Sequence, residues 1–424
     1  MPPTDRSTPG VRLTLFQDEK ASVGLPLDLG TRLLSFAFED CEEKADKLSL
    51  ELDNHDLVLF DREELTGGAV LEVAWGYPGY LSPPRRVVLK SLKGFQVLKV
   101  EGQALSALMN QQQKTRRWEK KTRAEVVREV ARENGYDGAF ADVEDSKETL
   151  DVINQAAETD ARFLKRLAAR EGFAFYVDGS GLHWHRRRQE TAPTHTFTWL
   201  SDDHGEVLAV DVESELVRRV GSSTVKARDP LSKTTVEGSS SADTAKRSTL
   251  GDVIEVVDPK TGATSLQKRN ATATVTASAA ASKGQASRQA EARFVKAERE
   301  TIKLSMQVVG DPTLAAKTVV EVRGISSLLS GKYYVTEAKH SIGSGGYVVD
   351  LKLTRDGKGK LGGQGIGGKP QTGDKNTAQT PPAGAKKEVE VIDKETGQSR
   401  VEYRDTPGQT GSGDPEARPP RKER

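Results

Sequence analysis

Cysteine is almost missing from this chain: Cys41 stands alone among 424 residues. No disulfide can form within the chain, and a zinc site built from several thiolates is excluded. A surplus of one charge is missing as well. Against 63 Lys and Arg stand 62 Asp and Glu, leaving a formal net charge of +1. That balance lacks the basic excess of a nucleic-acid binder. The best basic patch, Arg186-Arg187-Arg188, reads as a solvated strand end rather than a nucleic-acid site. No window approaches the ~18 consecutive apolar residues of a membrane span. The opening MPPTDRSTPG carries no apolar stretch of leader length. These absences predict a protein made in the cytosol and either kept there or assembled there into something larger.

Recognisable reaction chemistry is sparse too. No G-x-x-x-x-G-K-[ST] loop is present to cradle phosphates. The glycines at Gly343-Ser344-Gly345-Gly346 lie between two strand patterns and read as a hairpin turn. None of the histidines His55, His183, His185, His195, His204 and His340 stands beside a G-x-S-x-G nucleophile turn. His183-Trp184-His185 puts two imidazoles on one strand face, a spacing that can bind metal, yet no third ligand is apparent. The expectation is therefore no metal and no cofactor. Paired carboxylates for glycan hydrolysis are abundant, as in Asp40, Glu42 and Glu43 or Asp202 and Asp203, but acidic runs of this kind read as solvated loops. No catalytic residue is assigned.

What is present is a change of period along the chain. Val11 to Phe16 alternates, Leu33 to Phe38 is apolar, and Leu48, Leu50 and Leu52 alternate with Ser49 and Glu51. Val70 to Trp75, Arg86 to Leu92 and Val97 to Glu101 follow, with a turn at Gly76-Tyr77-Pro78-Gly79. Thr122-Arg123-Ala124-Glu125 then matches a capping box. A helix follows it, ending near Gly135. A second helix is predicted near Thr149 to Ala157, and a third from Thr159 or Asp160 to Gly172. Phe173 to Val177 and Leu182 to Arg186 flank a hairpin turn. Strand patterns return at Thr196 to Trp199, Val207 to Leu216 and Ser222 to Ala227. No Phe, Trp or Tyr occurs between Trp199 and Phe294, so 230–286 reads as a long flexible loop. A short helix, Ser287 to Arg299, and four more strands complete the pattern up to Thr354.

The fold class is thus α+β, mostly β. It is divided into a first β domain (1–105) that reads as a small barrel or sandwich, a small helical α+β insert (106–190), a second β domain (191–356) and a disordered tail (357–424). The tail holds 13 Gly and 7 Pro in 68 residues. Within it 388–404 reads as an isolated hairpin. Its start, Val389 to Gly397, resembles Ile254 to Gly262; the two read either as common turn sequences or as docking hairpins, since a lone hairpin is marginal in water and needs a partner sheet. Trp75, Tyr77, Trp118, Tyr333 and Tyr334 are candidate contact residues for partner chains, although aromatics in strands are more often core.

Two segments carry a family resemblance. Ala157 to Val177, with Glu158-Thr159-Asp160, Phe163-Leu164, Arg166-Leu167 and Glu171-Gly172, resembles a stretch of phage late control protein D and of VgrG proteins. Residues 292–353, through Gly310-Asp311-Pro312, Gly331-Lys332-Tyr333-Tyr334 and His340, resemble the same family. The resemblance implies a structural baseplate hub of a contractile phage tail or a phage-tail-like injection system. It further implies a homotrimer of paired β-barrels between a hexameric tail tube and a spike, among other baseplate subunits. No OB-type domain or β-helix pattern follows residue 356, so the spike is expected to be a separate protein. The rival expectations are a tail-associated peptidoglycan hydrolase and a carbohydrate- or surface-binding β module.

Overall fold

The computed structural model describes residues 8–16, 23–65, 68–199, 206–214, 220–228, 234–241, 255–257, 264–266, 271–276, 282–299, 301–325, 329–356, 386–392 and 399–405. The chain divides into two units, 1–368 and 369–424.

Most of the period-two segments of the first unit become strands of one sheet. Its path runs from Val207–Ser214 through Ile302–Val309, Gly346–Arg355 and Gly331–Gly343 to Leu33–Cys41. It continues through Lys47–Asp53, Val97–Ala104, Arg85–Gly94 and Val70–Tyr77 to Gly10–Phe16 and Leu25–Pro26. The two β regions are therefore joined by hydrogen bonds, where Gly331–Gly343 pairs antiparallel with Leu33–Cys41. The long strand changes partner along its length. Tyr334 to Gly331 face Val319–Arg323, and beyond a register shift Glu337 to Ile342 face Cys41 to Phe36. Among the described residues the ladder is an open path, with no pairing that closes either half on itself.

Alternation buries one face of this sheet. Phe36, Phe38, Leu48, Leu50, Leu52, Val73, Trp75 and Val100 from one half share a core with Leu304, Val320, Tyr333, Val349 and Leu351 from the other. Each such large apolar side chain contributes roughly 1.5–3 kcal/mol on burial.

The insert has its own core. Helix α1 (Arg123–Glu133) starts from Thr122, whose side chain and that of Glu125 cap each other. Helix α2 (Asp160–Glu171) starts from Thr159 and stops at Gly172, whose φ of 74° suits a residue without Cβ. Val126, Val127, Val130, Phe163, Leu164 and Leu167 pack on Trp118 and Trp184. The predicted helix at 149–157 is instead a strand, Thr149–Thr159, paired with Gln113–Thr122. Leu150, Ile153 and Ala157 mimic helical spacing, but the β-forming Thr149, Val152 and Ile153 find a partner strand and a bulge near Gln155 absorbs the odd spacing.

The loop expected over 230–286 is corrected in part. Thr235–Ser241 is a strand paired with Val220–Arg228. Helix α3 (Lys283–Arg299) packs on this hairpin through Ala286 and Ala290, which meet Val225 and Ala227. A Cβ on Gly238 would lie 2.2 Å from the Ser287 nitrogen, so close approach replaces bulky side chains there. Glu255–Val257 and Thr264–Leu266 form a two-stranded ladder. Ala271–Thr276 pairs parallel with Val220–Arg228 on the side away from Thr235–Ser241. Residues 230–233, 242–254, 258–263, 267–270 and 277–281, Glu215 and Leu216 at the end of the expected strand, and Asp202 and Asp203 lie outside the described residues.

In the second unit, Lys386–Ile392 pairs antiparallel with Ser399–Asp405, a hairpin over the expected position. The remainder of the expected tail, 357–424, lies outside the described residues. Among the described residues no helix is long and apolar enough to cross a membrane.

Candidate functional site

The acidic run after Phe38 is not a solvated loop. The alternation Phe36, Phe38 continues inward through Asp40 and Glu42, which are only 2% and 8% exposed, and Asp46 is buried as well. Buried carboxylates require partners, and these come from the other parts of the chain. Lys317 pairs with Asp40, lies 3.7 Å from Asp46 Oδ1 and donates to the Cys41 carbonyl at 3.4 Å. Its ammonium also stands 4.7 Å above the ring of Tyr176 in the insert. Arg85 stands 3.7 Å from both Asp40 and Asp178, linking the first β half to the insert hairpin.

A second ion cluster lies beside the first. Arg187, at the end of the insert, forks onto Glu42, with Nε donating to Oε1 at 2.9 Å, and covers the Tyr334 ring at 4.3 Å. The Tyr334 hydroxyl donates to the same Oε1 at 3.2 Å. Glu43 takes Lys296 of α3 at 2.9 Å, and its carbonyl accepts from Lys165 of α2 at 2.5 Å. Residues 40–46 thus join both β halves, the insert and α3.

Charge states follow from this packing. Burial pushes the Asp40 carboxyl up, but Lys317 and Arg85 outweigh it and hold it below the usual carboxylate range. Burial, helped by the neighbouring charge of Asp40, pushes Asp46 up to about 7. His340 is pushed down to about 4 by burial. It is held neutral between the Leu314 carbonyl, 3.0 Å from Nε2, and the Tyr347 hydroxyl, 2.7 Å from Nδ1.

All five candidate contact aromatics are buried within this chain. Trp75 stacks on Phe38 at 4.6 Å and meets His340 at 4.9 Å. Tyr77 donates to the Gly310 carbonyl at 3.3 Å. These two lie in the contact between the β halves. Trp118 stacks on Phe163 inside the insert. Tyr333 donates to the Leu329 carbonyl at 2.6 Å, and Tyr334 belongs to the ion joint.

The exposed features are elsewhere. Phe60 and Phe95 stand 46% and 62% exposed with ring centroids 6.2 Å apart. Buried Asn54 fixes both segments, donating to the Phe95 carbonyl at 3.0 Å and accepting from Leu59 N–H at 3.0 Å. Leu57, Val58 and Val97 extend this apolar end. A cleft of about 570 Å³ lies between α2, the insert hairpin and α3. It is lined by Lys165, Arg166, Arg170, Arg187, Lys296 and Arg299 around Glu42 and Glu43. Burial there, with Arg166 and Arg123 near, pushes Arg170 down to about 10. The His183 and His185 pair faces Asp142, which the sequence reading had not found.

Comparison with known proteins agrees with this layout. The model of the phage tail baseplate hub (GPD) family matches residues 93–346. No curated protein matches the chain. A tail protein from Neisseria meningitidis MC58 superposes with a TM-score of 0.59 at 14% identity, covering 82% of this chain and 97% of its own. The 43 kDa tail protein of prophage MuSo2 from Shewanella oneidensis gives 0.56 at 14% identity, covering 82% and 99%. A type VI secretion component from E. coli gives 0.51 at 10% identity, covering 84% and 80%. At such identities the likeness is one of fold. The family match is wider than any single element, spanning the last strand of the first β half, the insert, and most of the second half, with Arg187, Lys317 and Tyr334 of the ion joint. On that ground the chain belongs to the phage tail baseplate hub family and has a structural role in such a baseplate.

Proposed function

We propose that three copies of this chain form a collar that adapts a hexameric inner tail tube to a separate spike protein, among other baseplate subunits. The role is mechanical and non-enzymatic. Assembly takes place in the bacterial cytoplasm, and the product is a phage virion or an extracellular injection particle.

One observation supports the reading beyond family membership. The shared sheet ends in Val207–Ser214, which among the described residues pairs only with Ile302–Val309 and exposes Leu208 and Val212. Such an edge offers a row of N–H and C=O groups to another strand, and closed symmetry satisfies every edge at once. The fixed Phe60 and Phe95 end is a second contact surface. Nothing specific favours a peptidoglycan hydrolase, since Asp40 and Glu42 are consumed by Lys317 and Arg187.

Light scattering on purified protein is expected to give three times the 46.1 kDa of one chain, at the latest when the spike protein is added. Replacing Phe60 and Phe95 together by Glu is expected to lower that mass. A single-chain mass at high concentration beside the spike partner would end the proposal, as would clearing of peptidoglycan in a zymogram.

A further inference from the structure

The geometry points to a divalent transition-metal site, of the zinc class, formed by His183, His185 and Asp142 on the insert's three-stranded sheet. Nothing in the collar role calls for it.

The three residues meet through strand pairing. Ala141–Val143 runs parallel to Gly181–Arg186, and Asp142 is the register partner of His183. Tyr176 is the partner of His183 on the other side. His185 lies two residues on, and therefore on the same face. The three possible ligand atoms lie within 4.8 Å of one another.

Hydrogen bonds set which nitrogens are free. His183 Nε2 lies 3.0 Å from Asp178 Oδ1 and 2.9 Å from Ser180 Oγ, so it carries the proton. His185 Nδ1 lies 2.6 Å from the Arg186 carbonyl and likewise donates. A carboxylate behind one imidazole and a backbone carbonyl behind another is the outer shell that orients metal-binding histidines. The lone pairs left over are His183 Nδ1 and His185 Nε2. They stand 3.5 Å and 3.7 Å from the same oxygen, Asp142 Oδ2. These distances are too long for hydrogen bonds. They approach the edge, roughly 3.3 Å, of a tetrahedron with metal–ligand bonds of ~2.0–2.1 Å. His183 Nδ1 is moreover buried with no hydrogen-bond partner, a cost that a bound cation removes.

Two groups must yield. Arg188 donates to Asp142 Oδ2 at 2.7 Å, and its side chain is 58% exposed and able to swing away. The Tyr176 hydroxyl, 3.3 Å from His185 Nε2, would turn to solvent. Two imidazoles and one carboxylate favour zinc, cobalt or nickel over magnesium or calcium. With three protein ligands the fourth position falls to water. A bound ion would clip the three-residue strand Ala141–Val143 to the hairpin.

Titration calorimetry of the tag-free full chain with ZnCl2 is expected to show one equivalent bound, with MgCl2 giving none. Co2+ in its place should give the visible absorption of a tetrahedral site. Asp142→Asn and His185→Gln should each weaken Zn2+ binding at least tenfold. Arg188→Ala should tighten it, because the carboxylate loses its competitor. A purely structural role for Arg188 would not produce that gain. No Zn2+ binding by the intact chain, binding unchanged in Asp142→Asn, or weaker binding in Arg188→Ala overturns the assignment.

Discussion

The interior of the β body and the seam between body and insert are both buried, yet they are made of opposite materials. In the body, Phe36, Leu48, Leu50 and Val349 pack as apolar layers. At the seam, Asp40, Glu42 and Asp46 meet Lys317, Arg85 and Arg187. Apolar packing is non-directional and tolerates repacking. A buried ion pair adds little net stability over an apolar substitute, but loss of one partner leaves an uncompensated charge. The difference teaches that the core holds the parts together while the seam fixes their mutual angle.

The sharpest way to break that contrast is Lys317→Met. It leaves the buried Asp40 carboxylate with the Ala316 N–H as its remaining hydrogen bond and only the Arg85 guanidinium, 3.7 Å away, as a charge partner. A loss of about 3–5 kcal/mol is expected in denaturant unfolding. A core Leu50→Ala change costs a similar 2–5 kcal/mol or so, but should leave the insert's orientation intact in small-angle scattering.

Next in size is a pH effect in two opposed parts. His340 titrates near 4 when folded and near 6.5 when unfolded, so the unfolded chain binds the extra proton and stability falls as pH drops through that window. Asp46 titrates near 7 when folded against an ordinary 3.8, so the folded chain binds the extra proton and stability falls as pH rises through its window. Between about pH 4 and 6.5 the slopes oppose each other. Asp46→Asn, which keeps an acceptor for the Cys41 N–H, removes one of them. Its stability should then drop by roughly 3 kcal/mol from pH 6.5 to 4, where the wild type changes little. Equal slopes in the two proteins would refute this account of the seam.

A smaller effect is expected from Arg187→Lys. The charge on Glu42 keeps a partner, but the forked contact and the cover over Tyr334 are lost, at about 1–2 kcal/mol. Limited proteolysis after Arg186 should accelerate. Replacing the exposed Phe60 and Phe95 by Glu should change unfolding by less than about 0.5 kcal/mol while altering assembly, which separates surface from seam.

Much of this was legible in the residues. Period two at Leu48, Leu50 and Leu52 marked a buried strand face, and Thr122 with Glu125 marked a helix start. The same alternation, carried past Phe38 to Asp40 and Glu42, was the available signal for the seam. It was obscured because a charge run usually signals solvent. Gln113–Thr122 gave no clear pattern, since only Trp118 of its charged stretch is buried. Asp142 was beyond reach. It meets His183 through a parallel pairing, and topology rather than spacing creates that contact. The contact role assigned to Trp75 and Tyr77 pointed toward other chains, whereas their contact is between the two halves of this one.

The strand Gly331–Gly343 serves both halves by switching neighbours near Thr336, whose carbonyl accepts the Glu42 N–H at 3.0 Å. A pull on either half along the strand direction therefore loads the Leu33–Cys41 ladder in shear, so its bonds must fail together and cannot peel one by one. The hydrogen bonds of this ladder belong to the backbone alone, so side-chain changes on either flank leave its bonding pattern in place.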